Sequence, residues 1–245
     1  MFQRSLPPMV KNLLIINVVM FVLTNILLYQ KVVDLNEMLG LHYFGFSTFE
    51  PYQLFTHMFM HADLVNGGEM GIMHIFSNML GLYMFGTPLE ERLGSKRFLI
   101  LYLVAGFGAA IIQLGAMHYD LMELAARYGI TLHDLVNEFN TKAIGLEQGM
   151  SLALGGNPID IGMVGASGCV FGLLAGFGML FPNAEMLLLF LPIPIKAKYF
   201  VIIYGIFELY SGVAHISDGV AHFAHVGGAI FGFLLIKYWK SKTIL

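Results

Sequence analysis

Residues 164–181 read VGASGCVFGLLAGFGMLF. As a helix the stretch would be about 27 Å long at about 1.5 Å per residue, close to the hydrocarbon thickness of a bilayer. It is apolar enough to sit there. Yet Ser167 stands near its start, wedged in Gly165-Ala166-Ser167-Gly168. Small residues let spans pack closely, which explains the glycines. A hydroxyl in that setting raises a second reading, that Ser167 is a nucleophile.

Working outward, the whole chain is built like this stretch. Hydrophobic residues make up 57% of its 245 residues and charged residues 12%, about half the charged share of a soluble domain. The apolar residues collect in six blocks, roughly 12–30, 71–88, 97–117, 164–182, 197–213 and 220–239. The expected fold is an all-α, polytopic, multi-pass integral membrane protein forming one domain. The N-terminal block lacks a small-residue cleavage site and reads as a retained span rather than a signal peptide. The single cysteine, Cys169, excludes a disulfide within the chain and reads as a packing residue. The net charge of -3 points to no particular partner, and there is no phosphate loop, internal repeat or nucleic-acid footprint.

Charge sets the orientation. With six spans and the N-terminus in the cytoplasm, only Lys31, Arg127 and Lys142 of the 13 basic residues fall outside. The positive-inside rule therefore places both termini in the cytoplasm. Two outer segments are long. Residues 31–70 are too polar to span and too aromatic for a free linker, which suits the bilayer interface. Residues 118–163 carry helical apolar periodicity, which predicts short amphipathic helices. The prolines of LFLPIPIK, residues 189–196, should keep a helix from starting before the fifth span.

Polar side chains in spans are costly, so each needs a reason. His74 and Asn78 stand at i and i+4 on the second span. His222 and His225 stand at i and i+3 on the sixth. Each pair shares a helix face. With Ser167 they would lie near the outer ends of three spans and could meet in one water-accessible cavity. There Ser167 would be the nucleophile and His225 its base. Asn78, His74 and the Ser167 backbone N–H would stabilise an oxyanion. If Ser167 starts its helix, the positive end of that helix would help. Gly165, Phe171 and His222 would line the cavity. Asp218 is too far from His225 along a straight helix to complete a triad, though it could reach His222, so the reading is a Ser–His dyad. Glu208, late in the fifth span, faces either the water-filled side or a polar partner. His57 and His61, also at i and i+4, could suit a metal, but backbone hydrogen bonding in a packed loop explains them better. No HExxH motif is present.

At these residues the chain resembles the rhomboid family of intramembrane serine proteases, over about residues 50–239. Gly165-Ala166-Ser167-Gly168 is similar to the family's GxSG nucleophile motif, and Ala224-His225-Val226-Gly227-Gly228 to its base motif. His74-Ile75-Phe76-Ser77-Asn78 is similar to the HxxxN motif, and residues 85–103, FGTPLEERLGSKRFLILYL, to the stretch joining the second and third spans. The resemblance implies a six-helix rhomboid-like bundle with the serine at the foot of a short fourth span. It implies cleavage of single-span membrane proteins near the outer membrane surface, with transmembrane protein substrates and the lipid bilayer as partners. No cofactor and no metal are expected. The chain departs from the family at Tyr52-Gln53, where Trp-Arg is common, in a longer spacer between His61 and His74, and at Phe171, where a tyrosine is common. A bacterial inner membrane is the expected location. Two rival readings remain at the level of sequence: a catalytically inactive rhomboid-like module that binds transmembrane segments, and a small transporter with a histidine proton relay.

Overall fold

Long apolar blocks separated by glycine and short polar loops should give helices joined tightly, and they do. The computed structural model describes residues 5–141, 162–188, 191–216 and 219–243. Helix α1 spans Pro8–Tyr29, and four short turns of helix follow in the first outer segment: α2 Leu35–Leu39, α3 Gln53–Thr56, a 3-10 turn His57–Phe59 and α4 Leu64–Gly67. Then come α5 Glu69–Leu93, α6 Ser95–Tyr128, α7 Leu132–Asn140 and α8 Ser167–Leu180. A hairpin of β1 Glu185–Leu188 and β2 Leu191–Lys196 leads to α9 Ala197–Val213 and α10 His222–Ser241.

Helices therefore stand at all six expected blocks, but with different reach. Among the described residues, only α1 and α6 are long and apolar enough to cross a bilayer by length and composition. Helix α8 has 14 residues, shorter than the 164–182 block. The chain before Ser167 cannot join it, because Leu41 and Met163 exchange two 2.9 Å backbone hydrogen bonds that hold it extended. Helix α6 runs 34 residues, well past the expected end at 117. Nothing breaks it until Gly129, whose left-handed backbone (φ 65°) caps it onto the Ala125 and Ala126 carbonyls. The prolines of residues 189–196 do exclude helix, and part of that segment becomes a strand: Glu185 pairs with Lys196 and Leu188 with Leu191, antiparallel. A two-stranded sheet has only edges, where proline is tolerated.

Helix α8 is the centre of the molecule, with ten of its 14 residues buried. It packs between α5, α6 and α10. Its small-residue face meets that of α10 with backbones almost in contact. A Cβ on Gly228 would collide with the Gly168 carbonyl, and one on Gly232 would lie 2.5 Å from the Gly172 carbonyl. Only glycine permits that approach. The outer surface is apolar in turn: Ile15, Val19 and Val22 of α1, Phe76 of α5, and Ile202, Ile203 and Ile206 of α9 are all exposed. Buried polar groups and exposed branched aliphatics together are the distribution that lipid as solvent demands.

The outer segments form a second layer. Tyr43 and Phe46 pack with Leu121, Leu124, Ala125 and Leu135, joining the segment after α1 to the end of α6 and to α7. The expected amphipathic helix is α7, opened by a capping box between Thr131 and Asp134. The rest of that expectation, residues 142–161, lies outside the described residues.

Candidate active site

Ser167 occupies the first turn of α8, where backbone N–H groups have no partner within the helix. The outer layer holds it there. Beside the Leu41–Met163 bridge, the Gly165 N–H donates to the His57 carbonyl at 3.0 Å. Gly165 has φ +136°, a conformation that side-chain-bearing residues rarely adopt. Its missing side chain matters as much as its backbone. The point where a Cβ would stand lies 3.0 Å from His74 Nε2 and 3.4 Å from Ser167 Oγ. The imidazole and the hydroxyl thus converge on the space that this glycine leaves open.

His74 is set by the loop above it. Its Nδ1 accepts the Ala62 backbone N–H at 3.1 Å, so in the neutral ring Nε2 carries the proton and points to that space. Asn78 is not the free donor that its spacing suggests: its Nδ2 donates to the His74 carbonyl at 2.8 Å, one turn back. One of its two N–H groups is spent holding α5, and the side chain is buried.

His225 arrives from α10 across the glycine seam. The Phe171 ring, one turn into α8, lies against it with centroids 4.1 Å apart and planes 9° apart. His222, on the same face of α10, is also buried. The two imidazoles share a partner that the sequence left unassigned. Glu208 of α9 is buried, and its Oε2 accepts from His222 Nδ1 at 2.7 Å and from His225 Nδ1 at 2.9 Å. An acidic residue in an apolar span was the available signal. Its partners lie on another helix, beyond the reach of spacing rules. Asp218, considered for His222, lies outside the described residues.

The donor atoms of Glu208, His222 and His225 lie within 4.8 Å of one another, the one grouping of this kind among the described residues. Two of those spacings are hydrogen-bond distances that ring N–H groups fill. His57 and His61 do not converge: His57 Nδ1 donates to the Gln53 carbonyl at 2.8 Å, while His61 Nε2 meets Asn17 Oδ1 at 2.9 Å. A hydroxyl at a helix start, an imidazole with Nδ1 turned to a carboxylate, and an N–H aimed into an open space suit acyl transfer.

Known proteins bear on the same residues. The Rhomboid domain family model matches residues 48–241. The chain is 28% identical over 224 residues to RHOMBOID-like protein 12, mitochondrial, of Arabidopsis thaliana, covering 90% of this chain and 55% of that one. It is 27% identical over 171 residues to Rhomboid protein 1, mitochondrial, of Saccharomyces cerevisiae, covering 70% and 39%. Over 65 residues it is 34% identical to Rhomboid protease GlpG of Salmonella choleraesuis, covering 26% and 21%. The chain thus spans about half the length, or less, of the curated relatives it matches. Mitochondrial names among them remove the support for a bacterial inner membrane in particular. With the family model covering well over half of the chain, this protein belongs to the rhomboid family, a family of membrane proteins.

Proposed function

We propose that the chain is an intramembrane serine endopeptidase that cleaves single-span membrane proteins near the outer membrane surface through a Ser167–His225 dyad. The observation that carries this reading is the convergence of Ser167 Oγ and His74 Nε2 on the space beside Gly165, on a helix whose Phe171 stacks against His225, the histidine whose Nδ1 is already engaged. Six spans with both termini in the cytoplasm fit the six helices and the basic residues. They put Ser167 below the surface at the outer end of the short α8.

The chemistry follows from the protonation states. His225 Nδ1 donates to Glu208, so Nε2 carries the lone pair and takes the Ser167 proton. Oγ attacks the peptide carbonyl. The oxyanion meets the Ser167 N–H, the His74 Nε2–H and the second N–H of Asn78, with the positive end of α8 behind them. His225 then protonates the leaving amine, and water hydrolyses the acyl-enzyme. A substrate helix must unwind locally first, because its carbonyls are otherwise held in hydrogen bonds. Entry passes α9, of which only Ala197, Glu208, Ser211 and Gly212 are buried. No cofactor or metal enters any step.

The test is covalent labelling of the detergent-solubilised protein with a fluorophosphonate probe, beside Ser167→Ala and His225→Ala. Labelling of native protein and of neither variant is the expected result. A folded native protein that resists the probe would leave the inactive, span-binding module as the better reading.

A further inference from the structure

We infer that Glu208 is the positioning carboxylate of His225, so that the dyad works as a buried Ser167–His225–Glu208 unit in which His222 holds the carboxylate in place. The inference rests on the Ser167–His225 reading above.

Three observations carry it. Glu208 is buried within an apolar helix, where an ionised carboxylate is costly unless hydrogen-bonded and charge-compensated. Its Oε2 has two imidazole donors, His222 Nδ1 at 2.7 Å and His225 Nδ1 at 2.9 Å. And the His225 ring plane is fixed separately by Phe171. The stack sets the tilt of the ring, while the carboxylate decides which nitrogen bears the proton. An ionised carboxylate can only accept, so it selects the Nδ1–H form and leaves Nε2 as the base.

The same contact answers the problem of charge. When His225 takes the Ser167 proton it becomes an imidazolium in a low-dielectric setting. Beside Glu208 it forms a neutral pair rather than an isolated cation. Glu208 keeps its charge throughout and takes no proton. His222 supplies a second donor to the same oxygen, which holds the carboxylate between two rings at i and i+3 of α10.

Among the described residues, the other polar groups that face the His225–Glu208 pair come from α5, α8, α9 and α10. His74 of α5 is close enough to interact electrostatically with it. Tyr204 of α9 interacts with Glu208 and packs at a tilt on Phe171. Helix α8 presents Ser167 and α10 itself presents His222, whereas α6 offers Gly108, Ala109 and Ile112 to this part of the seam.

The experiment compares native protein, Glu208→Gln and Glu208→Asp by fluorophosphonate labelling rate across pH 5 to 9, with the melting temperature as a check on folding. In soluble serine-protease triads, exchanging the carboxylate for its amide costs about 10⁴-fold in kcat through the wrong imidazole tautomer. Glu208→Gln is expected to slow labelling at least about tenfold and to move the acid limb of the profile to lower pH. Glu208→Asp should recover part of the rate. Equal rates and superimposable profiles for native and Glu208→Gln would overturn the inference. A purely structural role would lower the melting temperature without moving the limb, and that too would overturn it. Should native protein resist the probe, the dyad reading fails by itself. The ¹⁵N tautomer of His225 then decides the positioning claim: an Nδ1–H form that is lost in Glu208→Gln upholds it, and an Nε2–H form in native protein overturns it.

Discussion

The Phe171 ring lies flat on the His225 imidazole, centroids 4.1 Å apart and planes within 9°. One ring belongs to the helix that begins with Ser167, the other to the helix facing it. The stack therefore fixes the proposed base relative to the proposed nucleophile and not merely within its own helix. An aromatic pair of this kind contributes about 0.5–1.5 kcal/mol beyond its burial. Phe171→Leu, which keeps most of the volume, should slow fluorophosphonate labelling about two- to tenfold with little change in melting temperature. An unchanged rate would show that Glu208 alone suffices to hold the ring.

The outer layer should loosen in acid. Burial pushes the His57 imidazole down to about 4, against a smaller opposing effect of its bond to the Gln53 carbonyl. Burial, with His74 nearby, takes His61 down to about 3. Both are depressed below the unfolded value near 6.5. The unfolded segment thus binds more protons below that pH. Stability is complete above about pH 6.5 and falls as pH drops from there to about 4 for His57, by about 3 kcal/mol before levelling, and on to about 3 for His61. Hydrogen exchange across residues 35–67, corrected for its intrinsic pH dependence, should show protection lost over that window. Protection that stays flat from pH 7 to 4 contradicts the buried, neutral assignment. Because the His57 carbonyl holds Gly165, probe reactivity should fall in the same window.

Glu90 fastens α1 to the bundle. Helix α1 opens on Pro7 and Pro8 with no side-chain cap of its own. The buried Glu90 carboxylate supplies one from α5, accepting from the Met9 N–H at 2.9 Å and the Val10 N–H at 2.7 Å. Ser95 Oγ donates to the same group at 2.5 Å. Hydrogen bonds to a charged group contribute about 1.5–3 kcal/mol each, so Glu90→Ala should cost at least about 2 kcal/mol. Thermal unfolding in detergent would register it, and a melting temperature within a degree or so of native would rule the cap unimportant.

The glycine seam makes a paired prediction. A methyl group at Gly228 meets the Gly168 carbonyl, so Gly228→Ala must part α8 from α10. It should lower stability by about 1–3 kcal/mol or more and abolish labelling, since it separates Ser167 from His225. Gly115 of α6 has open space where its Cβ would be, and Gly115→Ala should be neutral or stabilise by up to about 1 kcal/mol. Similar behaviour of the two variants would mean that the seam is looser than it looks.

Much of this was legible before any coordinates. The six helical blocks and the small-residue faces of α8 and α10 follow from patterns within single segments, and so does the choice of Ser167, His74 and His225 as candidates. What stayed hidden depends on contacts between segments. Glu208 was visible as an acid out of place, but its two imidazole partners lie across a turn of chain that no helical period spans. Asn78 sits at the right spacing from His74, yet spacing could not reveal that its amide turns back to the His74 carbonyl. The early start expected for α8 came from hydropathy alone. Hydropathy does not register that Leu41, from a distant segment, holds Met163 extended.

Glu208 rides on α9, a helix with only four of its 17 residues buried and the one past which, on the proposed function, a substrate would enter. On that reading, the helix that yields to admit a substrate would also carry the carboxylate that primes the base. A doorway swung wide draws the carboxylate away from His225, and an open enzyme is then a disarmed one. Admission, closure and attack would then occur in that order. Such an interlock would sort substrates by how long they stay after entering, and a passing helix that slips in and out again would leave uncut.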